Sequence, residues 1–249
     1  MTTLPDNKSR PLPLPTLGVL GGMSNQATAE YYRLLNDGLN ARLGGWDNGE
    51  IVIVSVNFGN IQHFVSEGLW DEARSYCEEK IGRLERAGAD LIICASNTMH
   101  KVVGPIMAER RTPFIHIVDP TGAAIATAGL KKVALLGTAS VMRSPDFPAR
   151  LKTRFGIEAI VPQDADINLV DKVIFDELVR RELRPQSKAD YLRIIHDLAS
   201  RGAQGVILGC TEIFLLIGQP DLPQLPVFDT TALHVQATIA DLLARAPKV

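Results

Sequence analysis

Gly88-Ala89-Asp90-Leu91-Ile92-Ile93-Cys94-Ala95-Ser96-Asn97-Thr98 and Gly202-Ala203-Gln204-Gly205-Val206-Ile207-Leu208-Gly209-Cys210-Thr211-Glu212 follow one pattern. Each opens on Gly-Ala, runs through an apolar stretch and leaves through small polar residues. The apolar runs have the length and β-branched content of buried parallel strands. Ligands of open α/β sheets bind beyond the carboxyl ends of such strands. With Gly88 laid on Gly202, the hydroxyl of Ser96 falls opposite the thiol of Cys210.

The pattern extends outward. Leu17-Gly18-Val19-Leu20-Gly21-Gly22-Met23-Ser24 opens the first half, and Val133-Ala134-Leu135-Leu136-Gly137-Thr138-Ala139-Ser140 opens the second. Gly21 and Gly137 are 116 residues apart, Gly88 and Gly202 114. A looser match sets Pro113 to Asp119 against Pro226 to Asp229. These repeats predict an α/β protein of two similar lobes, each a mostly parallel sheet flanked by helices. The expected boundaries are an N-terminal arm over 1–16, a first lobe over 17–119 plus 229–249, and a second over 120–228.

The strands are expected at Leu17 to Leu20, Ile51 to Val56, Leu91 to Cys94, Phe114 to Val118, Val133 to Leu136, Glu158 to Val161, Val206 to Leu208 and Val227 to Asp229. Helical spacing points to helices over Thr28 to Arg42, Asp71 to Ala87, after Asn97, Thr121 to Ala128, from Asp146, Asn168 to Glu182, Ser187 to Ser200 and at the C-terminal end. Asn57-Phe58-Gly59 is read as loop, and Gly218 to Pro226 as a Pro-rich loop.

Composition narrows the function. A chain of 249 residues with 46% hydrophobic and 22% charged residues is of globular type. The net charge of −2 and the lack of any lysine or arginine run argue against nucleic acid or an anionic membrane as partner. No apolar run reaches membrane-spanning length, and the expectation is a cytoplasmic protein. Three cysteines without framework spacing fit a reducing compartment rather than a disulfide scaffold. Metal-ligand spacings are missing, as are a Walker sequence and a complete Gly-x-Gly-x-x-Gly, so neither a metal nor a nucleotide is expected.

Leu20-Gly21-Gly22-Met23-Ser24, Ser96-Asn97-Thr98-Met99-His100-Lys101, Gly137-Thr138 and Gly209-Cys210-Thr211-Glu212-Ile213 together resemble the aspartate/glutamate racemase family over nearly the whole chain. The resemblance implies two α/β lobes related by a pseudo-twofold, with the active site in the cleft between them. It further implies a homodimer, no cofactor, and stereoinversion of an acidic amino acid by two cysteines on opposite faces of the α-carbon. This chain departs from the family at the first cysteine, where it carries Ser96. Serine is far less acidic than a thiol. The expected site is therefore asymmetric, with Cys210 the principal acid or base and Ser96 a weak, water-assisted partner on the other face. A strand-end position before a helix would favour a Cys210 thiolate near neutral pH.

Neighbouring residues divide between site and scaffold. Gly22, Met23 and Ser24 form a Gly-rich turn whose N–H groups suit a carboxylate, or an ordinary β-α turn. Thr98, Thr138 and Thr211 suit substrate carboxylates and equally suit helix capping. Asn97 is placed with the substrate, while His100 and Glu212 are expected to orient Ser96 and Cys210. The resemblance implies a substrate-binding arginine in the segment from Asn57 to Trp70, which contains no lysine or arginine; Arg180, 30 residues before Cys210 where some relatives have a lysine in the carboxylate site, and Arg143, after the Thr138 turn, are the candidate cations instead. Cys77 and Cys94 read as core residues, with a displaced catalytic thiol at Cys94 the lesser alternative. Loss of the first thiol leaves a lyase or decarboxylase with a single catalytic cysteine as the main alternative, ahead of a non-catalytic binder of a small acid.

Overall fold

The computed structural model describes residues 12–246. Most of the N-terminal arm expected over 1–16 lies outside the described residues. The chain forms two compact units. The first contains the chain through Ala95, then Met99–His116 and His234 onward; the second contains Ser96–Thr98 and Ile117–Leu233.

In the first unit β1 (Leu17–Gly21) leads through the Gly-Gly turn into α1 (Asn25–Leu43), and β2 (Ile51–Ser55) pairs in parallel with β1 from Leu17↔Ile51 onward. After α2 (Phe58–Glu67) and α3 (Trp70–Arg86), β3 (Leu91–Cys94) pairs with the other edge of β1, giving the order β2-β1-β3. α4 (His100–Ala108) comes next, and Phe114 then adds a single parallel bridge to Ile92. The second unit starts with α5 (Val118–Thr127), β4 (Lys132–Gly137), α6 (Ala139–Arg143), α7 (Asp146–Phe155) and β5 (Glu158–Ile160). It continues with α8 (Asp164–Asp176), α9 (Pro185–Ser200), β6 (Val206–Gly209) and β7 (Val227–Asp229), and α10 (Thr230–Arg245) ends the described chain. Its sheet is parallel with order β5-β4-β6-β7.

The repeat read from sequence is therefore a repeat of strand order. Ile92 N–H donates to Pro113 O at 2.9 Å in one unit, and Val206 N–H donates to Pro226 O at 2.9 Å in the other. Asp90 N–H to Thr16 O and Gln204 N–H to Lys132 O, both 2.8 Å, are a second matched pair. The Gly-Ala starts have a local cause. Gly88 and Gly202 have φ of 86° and 95°, the left-handed exit from a helix into a strand that glycine adopts without a Cβ penalty. Both exits carry the same bonds, Ala89 N–H to Leu84 O and Ala203 N–H to Leu198 O.

Strand alternation distributes the cores. In the first unit Leu20, Ile92 and Cys94 pack with Cys77, Ile81 and Val103 of α3 and α4, whereas Val19, Leu91 and Ile93 pack with Tyr31, Leu35 and Ile239 of α1 and α10. In the second, Ala134, Leu136, Val206 and Leu208 face α8 and α9, and Val133, Leu135 and Ile207 face α5 and α7. Fully buried leucines and isoleucines of this kind each contribute about 1.5–3 kcal/mol by area.

Three expectations need correction. Asn57-Phe58-Gly59 starts a helix, because the Asn57 side chain accepts the Gly59 N–H at 2.9 Å and caps α2. The strand expected at Phe114 to Val118 shrinks to one bridge, and α5 starts at Val118, where Asp119 in the first turn favours helix. The helix expected over Asn168 to Glu182 is α8, displaced towards the N-terminus, with a 3₁₀ turn at Leu178–Arg180 after it. The break falls where Glu177 turns its carboxylate to Ser187 Oγ (2.6 Å) and Arg181 takes a φ of 60°. α6, unforeseen, is nucleated by Thr138, whose side chain accepts from Val141 N–H.

Candidate active site

The two repeat motifs end in similar environments. Ser96 and Cys210 are each buried to 8% relative exposure, one after β3 and the other after β6. Cys210 Sγ donates to Glu212 Oε2 at 3.1 Å, and Thr211 Oγ1 donates to the same oxygen at 2.7 Å. Two donors on one carboxylate oxygen fix its position, so the thiol has a proton acceptor within reach.

The electrostatics reverse one expectation. Burial pushes the Cys210 thiol well above its ordinary range, and the negative charges of Glu212 and Asp171 act in the same direction. Cys210 leads into a 3₁₀ turn, Ile213–Leu215, rather than an α-helix whose dipole could stabilise an anion. Cys210 is accordingly a thiol at neutral pH, suited first to giving a proton and able to take one after Glu212 has removed its own. Burial also raises the Tyr191 phenol, whose hydroxyl donates to Val170 O at 2.9 Å.

The substrate-binding candidates separate in the structure. Asn97 is nine-tenths buried; its Nδ2 donates to Thr230 Oγ1 at 3.1 Å, while its Oδ1 is buried with no hydrogen-bond partner. Thr98 and Thr138 meet hydroxyl to hydroxyl at 3.1 Å. The backbone around Thr138 is already engaged, because Asp171 Oδ1 accepts the Ala139 N–H at 2.6 Å. Thr211 gives its hydroxyl proton to Glu212. Ser24 caps α1, accepting Ala27 N–H at 3.2 Å. Gly22 has a φ of 88°, and a Cβ there would lie 2.3 Å from Val56 O, so the turn requires glycine. Its N–H donates to Thr28 Oγ1 at 2.7 Å and is thereby taken from the role of anion donor. Met23 contributes its side chain to the core of the first unit.

His100 begins α4 and packs with the rings of His116 (4.6 Å between centroids), Phe114 and His234. In the same unit Tyr31 Oη bonds His234 Nδ1 at 2.9 Å and His234 Nε2 donates to Ile115 O at 2.9 Å. Arg180 is exposed at the end of its 3₁₀ turn, a minor contributor beside the Lys172 hydrogen bond and charge that lower the Asp176 carboxyl, and Arg143 is exposed beside Asn168 and Asp164. Cys77 and Cys94 are fully buried in one cluster, and burial pushes the Cys77 thiol up to about 12. Sequence reasoning missed Thr230, Asp171 and Thr28. Asp229-Thr230-Thr231 directly after an apolar strand was the available signal for the first, as a helix start.

A sequence profile described as Asp/Glu/Hydantoin racemase matches residues 20–238. The chain belongs to that family. As a member of the Asp/Glu/Hydantoin racemase family it is an isomerase of the racemase class. It is similar to a glutamate racemase from Desulforudis audaxviator (strain MP104C), 28% identical over 196 residues that span 76% of this chain and 70% of that one. Among solved structures, that of a putative Asp/Glu racemase from Yersinia pestis aligns with a TM-score of 0.86 and 39% identity over 92% of this chain and 100% of the other. That of an aspartate racemase homologue from Pyrococcus horikoshii OT3 aligns with a TM-score of 0.80 and 31% identity over 93% and 100%. Among the described residues of this racemase-family chain, no helix is long and apolar enough to cross a membrane.

Proposed function

We propose that the protein inverts the α-carbon of an acidic amino acid, aspartate, glutamate or a close analogue, with Cys210 as the principal acid and base. The hydrogen-bonded Cys210–Glu212 pair carries this reading. In one direction Glu212 accepts the thiol proton and the resulting thiolate removes the α-proton. In the other, which begins with Glu212 holding the proton taken in the first direction, the thiol protonates the α-carbanion and regains its proton from Glu212. Ser96 serves the opposite face through its hydroxyl, with water completing the transfer. Asn97 Oδ1, a buried acceptor, suits the substrate ammonium, and the Thr98–Thr138 hydroxyl pair suits the α-carboxylate. The relatives described as aspartate and glutamate racemases support an acidic substrate. Arg180, exposed beside Asp176, is assigned no substrate contact.

A second reading arises from the same thiol. A single cysteine protonated at rest suits a lyase or decarboxylase that protonates a carbanion from one face. Proton NMR in deuterated water with L- and D-aspartate and glutamate, paired with chiral chromatography, separates the two. Loss of the α-proton signal with inversion is the expected result; exchange with retention would mean one competent face. Absence of both on all four compounds would reject the racemase reading and favour the second. Cys210→Ala should abolish turnover, and Ser96→Cys should raise the inversion rate.

A further inference from the structure

We propose that Thr230 is a positioning residue that decides which end of the Asn97 amide is presented to the substrate, and so selects α-amino acids over α-hydroxy acids. The inference rests on the reading of Asn97 as a substrate contact. Thr230, the first residue of α10, is fully buried. A threonine hydroxyl has one proton to give, and Thr230 gives it to Leu208 O at 2.8 Å, two residues before Cys210. Towards Asn97 it can therefore only accept, and it takes the Nδ2 proton at 3.1 Å. This arrangement holds Asn97 Oδ1 on the other side, buried and unpartnered.

An acceptor fixed in that way is satisfied by a ligand group carrying protons to give. The ammonium of an α-amino acid has three and remains charged. The hydroxyl of the corresponding α-hydroxy acid has one, without the charge that strengthens the bond. Were the amide free to turn, Nδ2 could donate to that hydroxyl oxygen and the two ligand classes would be distinguished less. Thr230 also ties the segment bearing Ser96 and Asn97 to the strand that leads to Cys210, through the carbonyl of Leu208. All of these residues lie in the second unit.

The test is isothermal titration calorimetry of L-aspartate and L-glutamate against L-malate and 2-hydroxyglutarate, on the wild type, Thr230→Val and Thr230→Ser. The wild type is expected to prefer the amino acids by at least about tenfold, since the ammonium gives Asn97 Oδ1 a charge-assisted bond and the hydroxyl of the analogue only a neutral one. Thr230→Ser should keep that ratio and Thr230→Val should lose most of it. A purely structural role would weaken both ligand classes alike and leave the ratio unchanged, which would overturn the proposal, as would a wild type that binds neither class. If Thr230→Val does not fold, side-chain amide exchange at Asn97 in ¹⁵N-labelled wild type decides. Slow exchange with a cross-peak to Thr230 is expected, and exchange as fast as at exposed asparagines would overturn the assignment. A wild type that discriminates without inverting any α-carbon would support Thr230 while retiring the racemase reading.

Discussion

At the scale of the residue, the proposed chemistry turns on a thiol that burial and the Glu212 carboxylate keep protonated. Alkylation of Cys210 by iodoacetamide should be slow at pH 7. It should keep rising with pH beyond the point where an ordinary thiol, with a pKa of about 8.5, has levelled off. Glu212→Gln removes the negative charge, so alkylation at pH 8 should accelerate while turnover falls, because the thiol proton has lost its acceptor. An unchanged alkylation profile in that variant would show that the carboxylate does not act on the sulfur. The effect on stability has a definite sign. The unfolded thiol ionises at its ordinary pKa and the folded one above it, so this group favours folding below that value and the contribution is lost as pH rises towards the folded pKa. Cys210→Ser should accordingly flatten the alkaline limb of a pH–melting curve. Cys210 and Glu212 were legible in sequence because they stand in one short string. Thr230 was not, because its partner Asn97 is 133 positions away and only the fold joins them.

At the scale of the element, the exits from α3 and α9 depend on glycine for backbone reasons alone. A Cβ at Gly88 meets nothing within 4 Å, and one at Gly202 meets only the flexible Lys132 side chain. Gly88→Ala and Gly202→Ala should each cost about 1–2 kcal/mol, the penalty of a left-handed L-residue, measured by urea unfolding. Gly22→Ala should cost more, since its Cβ collides with the Val56 backbone as well. Equal losses at the three positions would contradict this account. Strands and long helices were readable because periodicity and the Gly-Ala exits repeat. α2 was hidden by its Phe-Gly start, which imitates a loop until Asn57 is seen to cap it. The substitution of a bridge and an early helix for a strand at Phe114 was set by which residues found a partner on β3, information no local pattern carries.

At the scale of the whole molecule, among the described residues the buried polar side chains include carboxylates, hydroxyls, an amide and imidazoles but no lysine or arginine. Many of the ion pairs are exposed helix-surface pairs such as Arg33–Asp37 and Arg201–Asp197, each of which contributes about 0–1 kcal/mol. Raising the salt from about 0.05 to 0.5 M should therefore shift the melting temperature by no more than a few degrees, the scale of about 1 kcal/mol. A large fall would point to an ionic network that the fold depends on. The two-unit plan was the most legible feature of the sequence, because strand order is written twice. That doubling has an evolutionary corollary. Ser96 and Cys210 occupy corresponding positions of the two repeats with the same degree of burial. A single codon change interconverts serine and cysteine. Inheritance can thus change which atom stands at the end of a strand while the architecture stays constant.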